Sequence, residues 1–209
     1  MIMKFLPFVI GMMVVASCTS IYVDGELRNL SVRYESGGIR PESGAIFSIG
    51  TDYRQSFATA KNRLRAAGFQ ISDANLASGI ITLTSTQNSL ISCGTVTIGE
   101  LDNPKSFAAN VADAVMEVPA EGGGSTFVRR AMAVQSEVSI SIGVDPEQQG
   151  AIFASINEGH LARLTLTQIL NNVSVYSETI QFSGNSAGQF RRRVVCGSAG
   201  RIREILQGN

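Results

Sequence analysis

The chain has 209 residues, of which 44% are hydrophobic and 16% charged, enough apolar material for one or two ordinary cores and too much for a disordered chain. Its 17 lysines and arginines balance 17 aspartates and glutamates, so no net field draws in nucleic acid or an acidic polymer. A single histidine leaves little for metal or proton chemistry, and 21 glycines with 5 prolines point to a turn-rich, sheet-rich body.

At the start, Lys4 precedes an apolar run from Phe5 to Ala16, the pattern of an export signal. The run is too short to span a bilayer, which needs about 20 residues, and Pro7 and Gly11 weaken it as a permanent helix. Residues 1–17 are therefore expected to be removed. Val15-Ala16-Ser17-Cys18 resembles the bacterial lipobox: an aliphatic residue, two small residues and a cysteine. The resemblance implies that Cys18 takes a diacylglycerol thioether, becomes the new N-terminus and is then N-acylated, for example with palmitate. Two or three acyl chains hold a protein firmly, whereas one binds marginally, because each buried methylene adds only about 0.8 kcal/mol. The plainer alternative is an ordinary signal peptide with a chance cysteine at its junction. Thr19 follows the cysteine where lipoproteins retained at the inner membrane carry aspartate. In a Gram-negative host, that implies the periplasmic face of the outer membrane. Residues 18–26 then read as a lipidated tether and 27–209 as the periplasmic domain.

With Cys18 assigned to lipid, Cys93 and Cys196 remain as an even pair in an oxidising compartment, and a disulfide between them is expected. Two buried free thiols are the alternative.

Leu27 to Tyr34 reads as an entering strand. From Thr51 the period becomes helical: Asp52 can cap, and Tyr53, Phe57, Ala60, Leu64 and Ala67 share a face that ends at Gly68. The stripe Tyr53, Phe57, Leu64 is read as core rather than as a ligand groove. Phe69 to Ser72 and Gly79 to Thr86 read as strands about the turn DANLAS. Asn103-Pro104 looks like a helix start, with Phe107, Val111 and Val115 following at intervals of four. Pro119 and AEGGGST then give a flexible glycine-rich linker near 119–126.

Val138, Ile140, Ile142 and Val144 alternate with smaller or polar residues as a half-buried strand. Residues 145–159 are ambiguous between helix and strand and are read as loop plus short strand. Leu161–Leu170 and Val173–Phe182 flank Asn171-Asn172, a hairpin pattern. Gln189 to Val195 reads as a last strand before a short helix with Ile202, Ile205 and Leu206 on its apolar side. The expected fold class is α+β, a mainly antiparallel sheet packed by two or three helices, in one compact disulfide-bridged domain.

The chemical motifs are few. Gly184-Asn185-Ser186-Ala187-Gly188 matches the G-x-S-x-G elbow of hydrolases. An elbow must run into a helix and needs a later histidine, and neither follows Ser186, so a turn is the better reading. His160, beside Gly159 at a strand entry, is expected at the surface or in a turn. No cluster has the spacing of metal ligands, and neither metal nor cofactor is expected. Arg191, Arg192 and Arg193 are the one concentrated charge, with Arg129 and Arg130 following the glycine stretch. They suit an anionic partner such as lipid phosphate, or they keep a strand edge from pairing with strangers.

The reading is a non-catalytic lipoprotein that acts as a binding or assembly module of the cell envelope. Its expected partners are membrane lipid through acylated Cys18, and envelope proteins or an envelope polymer, with no nucleic acid. A lipid or small-amphiphile carrier or sensor is the alternative, and a serine esterase using Ser186 ranks behind both.

Overall fold

The computed structural model describes residues 31–35, 44, 46–99, 105–111, 113–119, 125–144, 150–191 and 194–208. The signal segment, Cys18 and residues 27–30 of the expected first strand lie outside them. In chain order the elements are β1 (Ser31–Glu35), β2 (Ile46–Gly50), α1 (Tyr53–Ala66), β3 (Gln70–Asn75), β4 (Ile80–Ser85), a 3-10 turn (Asn88–Leu90), β5 (Ile91–Ser92) and β6 (Thr95–Gly99). There follow β7 (Lys105–Ala108), β8 (Asp113–Pro119), β9 (Ser125–Val144), β10 (Ile152–Gln168), β11 (Val173–Ser183), β12 (Gly188–Gln189), β13 (Val195–Ser198) and α2 (Arg201–Gln207).

Two long antiparallel strands form the spine. β9 runs 20 residues and β10 runs 17, paired in unbroken register from Ile152↔Val144 to Gln168↔Val128. Each strand is flanked by two others in succession. On the outer side of β9, β8 pairs with the first half and β4, followed by β3, with the second. On the outer side of β10, β2 pairs with the first half and β11 with the second. The result is a seven-stranded antiparallel sheet.

Because side chains alternate, the even-numbered residues of β9 and β10 face inward and the odd-numbered ones outward. The inward residues divide into two cores. The first holds Val128, Met132 and Val134 of β9 and Ala162, Leu164 and Leu166 of β10. It is covered by the short strands that carry Ile91 and Val96 and by the connection between β12 and β13 that carries Phe190 and Val194. The second holds Val138, Ile140 and Ile142 with Ile152, Ala154 and Ile156, together with Phe57 and Leu64 of α1 and Ile202, Ile205 and Leu206 of α2.

Helix α1 forms where the period demanded it. The Asp52 carboxylate accepts the Gln55 backbone N–H at 2.7 Å, and Phe57, Ala60 and Leu64 are buried. Arg63 donates to the Leu206 carbonyl at 2.5 Å, which ties the two helices together.

The expected α+β class, with two or three helices packing the sheet, is overturned. Among the described residues the protein is mostly antiparallel sheet with two short helices, and half of the inner face is covered by strands and turns. The main cause is the segment after Asn103-Pro104. It is strand β7, a turn at Ala109–Asn110, and strand β8. An interval of four is also an even number, so Phe107, Val111 and Val115 satisfy a strand period as well as a helical one. The turn is fixed by side chains: Asn110 Nδ2 donates to the carbonyls of Asn88 and Ile91, and Asn88 Nδ2 donates back to those of Asn110 and Met132.

Other boundaries also move. Pro119 stands opposite Ser125 in the register, so the glycine-rich stretch joins two paired strands. The expected loop plus short strand at 145–159 is strand from Ile152 onward, with 145–149 outside the described residues. The hairpin about Asn171-Asn172 forms, Asn172 taking φ of 55°. The last expected strand is divided into β12 and β13, bridged by the Phe190 N–H to the Val194 carbonyl at 3.0 Å.

The turn into β4 yields a sharp prediction. Gly79 has φ of +71°, and a Cβ there would lie 2.1 Å from the Ile142 carbonyl oxygen, while its own carbonyl accepts the Ile142 N–H at 2.8 Å. Gly79→Ala must therefore both strain the backbone and push β4 from β9. A loss of about 1–3 kcal/mol in urea unfolding is expected; an unchanged midpoint would contradict the placement.

Candidate functional site

The inner face of the spine is mostly apolar, apart from Arg130 towards one end and a polar row at its middle. There the two cores are separated by three polar residues: Ser136 of β9, and Glu158 and His160 of β10, each at most 2% exposed. His160 lies directly across from Ser136, and Phe182 of β11 lies directly across from His160 on the other side. Glu158 precedes His160 by two residues and so shares its face. The geometry is closed: Ser136 Oγ is 2.8 Å from His160 Nδ1, and His160 Nε2 is 3.2 Å from Glu158 Oε2. The imidazole is backed by the Phe182 ring, with centroids 5.1 Å apart and planes tilted by 36°.

This corrects the expectation that His160 sits at the surface or in a turn. Its burial was legible in one respect. Ile152, Ala154, Ile156, Ala162, Leu164 and Leu166 are all even-numbered, so positions 158 and 160 had to face the same way. Polar side chains at those positions masked the continuity of the strand. Arg130 does the same in β9.

A serine, a histidine and a carboxylate in hydrogen-bond sequence can share a proton. With a neutral ring, the Ser136 hydroxyl donates to Nδ1 and Nε2–H donates to the carboxylate. With a charged ring both nitrogens donate. In either state both nitrogens are satisfied, as burial requires. A nucleophile must also reach a substrate, and Ser136 is wholly buried. The arrangement joins β9 to β10 where the two cores meet.

Ser186, the other serine of interest, is about its own turn. Its Oγ accepts the Ser183 N–H at 2.9 Å and lies 2.9 Å from the Ser183 hydroxyl. The chain continues into β12 rather than into a helix, so the elbow geometry is not formed. His160, the sole histidine, is engaged by Ser136.

The arginines part company. Arg129 faces outward and pairs with Asp113 at 3.5 Å. Arg130 faces inward at 1% exposure; its Nη2 donates to the Ala109 carbonyl at 2.5 Å, and its guanidinium lies 5.6 Å from the Phe107 ring centroid. Only one arginine of this pair is thus open to a partner. Arg191 is exposed, with its backbone N–H on the Glu178 carboxylate at 3.1 and 3.2 Å and its Nε 3.9 Å from Glu178 Oε1. Tyr176 donates its hydroxyl to the same carboxylate. Arg192 and Arg193 lie outside the described residues, as does Cys18.

Cys93 and Cys196 are joined in a disulfide spanning 103 positions of sequence. Among the described residues, no group of three or more histidine, cysteine, aspartate or glutamate side chains is placed to hold a metal ion, and no helix is long and apolar enough to cross a membrane. No protein-family model matches the sequence, and comparison with curated proteins and with solved structures gave no match.

Proposed function

We propose that this protein is a lipid-anchored, non-catalytic binding or assembly module of the bacterial cell envelope. Acyl chains on Cys18 would hold it at the membrane, on the periplasmic face of the outer membrane in a Gram-negative host. The observation that carries the non-catalytic part is the state of His160. The chain's one imidazole is buried, and both of its nitrogens are taken by Ser136 and Glu158, so it is not placed to serve as a general base for an exposed serine such as Ser186. The anchor part is supported by the lipobox-like Val15-Ala16-Ser17-Cys18. The disulfide is in keeping with an oxidising compartment.

Tethering confines such a module to a thin layer beside the bilayer. This raises its effective concentration towards other membrane-bound components without a new contact. The expected partners are envelope proteins or an envelope polymer. Metabolic labelling with a radioactive fatty acid tests the anchor. Wild type is expected to take up label and Cys18→Ala to take up none; equal labelling of the two would end the lipoprotein reading.

A further inference from the structure

The end of the spine that carries the β10–β11 hairpin exposes a group of apolar side chains. Leu170, in the turn, is 88% exposed, and Val115, Phe127, Ile169 and Val173 are each between 41% and 52% exposed. They gather at one end of the sheet. The Ile169 N–H donates to the Phe127 carbonyl at 2.9 Å, and Val115 stands opposite Arg129, two residues from Phe127 on the same outward face. Val173 opens β11 opposite Gln168, at the inner rim of the same end. Exposed apolar groups gathered in this way commonly mark an interaction surface.

The opposite end also exposes apolar side chains, Ile46, Leu76, Ile80 and Val144; Ile46 and Ile80 are separated in one cross-strand row by Ser141 and Ser155.

The path of the chain says which end faces the anchor. β1 pairs with β6, and Val96 of β6 is packed in the first core with Val128 and Leu166, which adjoin the apolar end. The chain therefore enters on this half of the molecule. From Cys18 to Ser31 there are 31 − 18 = 13 steps, a reach of at most about 45 Å. β9, at 20 residues, is about 65 Å long. A tether shorter than the sheet, attached to the first-core half, holds the hairpin end within reach of the bilayer.

We infer that the apolar end formed by Phe127, Ile169 and Leu170, with Val115 and Val173 beside them, docks onto the surface of the lipid bilayer. The proposal rests on the anchor reading of Cys18 and deepens it, making the membrane itself a contact of the folded domain. Phe127 and Leu170 would enter the boundary between headgroups and acyl chains, as the apolar side chains of interfacial proteins do. Arg129, two residues behind Phe127 and exposed, would lie at headgroup level. Its partner Asp113 offsets its charge. Docking should therefore be driven by apolar burial and change little with salt.

The test uses the processed protein, purified in detergent and reconstituted on vesicles of phosphatidylethanolamine and phosphatidylglycerol. A fluorophore is attached through Leu170→Cys, through Val173→Cys or, at the far end, through Ser141→Cys, and lipids with brominated acyl chains serve as quenchers. Several-fold stronger quenching at 170 and 173 than at 141, with little dependence on salt, is the expected result. Protein that floats with the vesicles and carries lipid by mass, yet is quenched equally at both ends, overturns the docking and leaves the anchor standing. Protein that neither floats nor carries lipid overturns both. Position-170 thiols that crosslink to each other on the vesicle would assign the surface to a second copy of the chain, and would also overturn the bilayer as its occupant.

Discussion

Glu158→Ala is expected to lower stability by about 3–5 kcal/mol, the cost of breaking a buried polar pair and leaving one partner stranded. A typical domain has only about 5–15 kcal/mol in total, so the variant should unfold at much lower urea. The cause is local. His160 and Glu158 are buried to within 2%, so water cannot replace the lost acceptor at His160 Nε2. Removing the whole group should behave differently. Ser136→Ala, Glu158→Leu and His160→Leu made together replace the polar contacts by apolar packing, which is often neutral and sometimes stabilising. The triple variant should therefore stand closer to wild type than Glu158→Ala does. Such non-additivity is expected of side chains in one hydrogen-bonded network.

What the triple variant should lose is definition. Either side of this row, the inner face is aliphatic, and Val134, Val138 and Ile140 of β9 would accept a slipped β10 with little complaint. A slip by one residue turns the strand inside out, but a slip by two keeps every apolar side chain inward. The hydrogen bond between Ser136 and His160 exists in one register only. Amide spectra of the triple variant are expected to show extra or broadened resonances in β9 and β10; a single sharp set would argue that the polar row has no role in register.

The same row marks the limit of what could be read from the residues. Helix α1, the β3–β4 pair and the hairpin at Asn171-Asn172 were legible because cap, period and turn chemistry agree at each place. The Cys93–Cys196 pairing was accessible from cysteine count and compartment. The spine was seen only in part. Alternation is plain from Val138 to Val144, but upstream it is interrupted by Arg130 and Ser136, and in β10 by Glu158 and His160. Each of these points inward, and Arg130, Ser136 and His160 bond to partners distant in sequence. Arg130 needs the Ala109 carbonyl and His160 needs Ser136, 24 positions away. Sequence pattern ranks such residues as outward because it cannot see the partner that makes burial tolerable. The false helix after Asn103 has a related origin. Its apolar spacing suited both periods, and the choice was made by the Asn88–Asn110 exchange of hydrogen bonds. The apolar surface at Leu170 was equally hidden, since within a hairpin its residues read as ordinary strand ends.

Removal of the disulfide, by Cys93→Ser with Cys196→Ser, is expected to destabilise the protein by about 2–5 kcal/mol. The chain-entropy model places a closed loop of this size, 103 positions, near the upper end of that range, at about 4.7 kcal/mol for a 100-residue loop. The loss should be uneven. The bridge links the turn between β5 and β6 to β13, beside the short pairing Gly197↔Ser92. These elements cover the first core, and β5, β12 and β13 are joined to each other by a few backbone hydrogen bonds only. The second core has α1, α2 and the β3–β4 pair instead, none of which the bridge touches. In the double variant, amides of β5, β6 and β13 should therefore exchange much faster, while those of β4 and the second half of β9 keep more of their protection. Phe190 and Val194, both fully buried in the first core, hold the same cover from the other side and should prevent its complete loss. Wild type kept in reductant must reproduce the pattern, which separates the effect of the bond from that of the serines. Equal acceleration across both cores would show instead that the two halves open as one, and that the polar row between them couples the cores more tightly than the disulfide holds its cover.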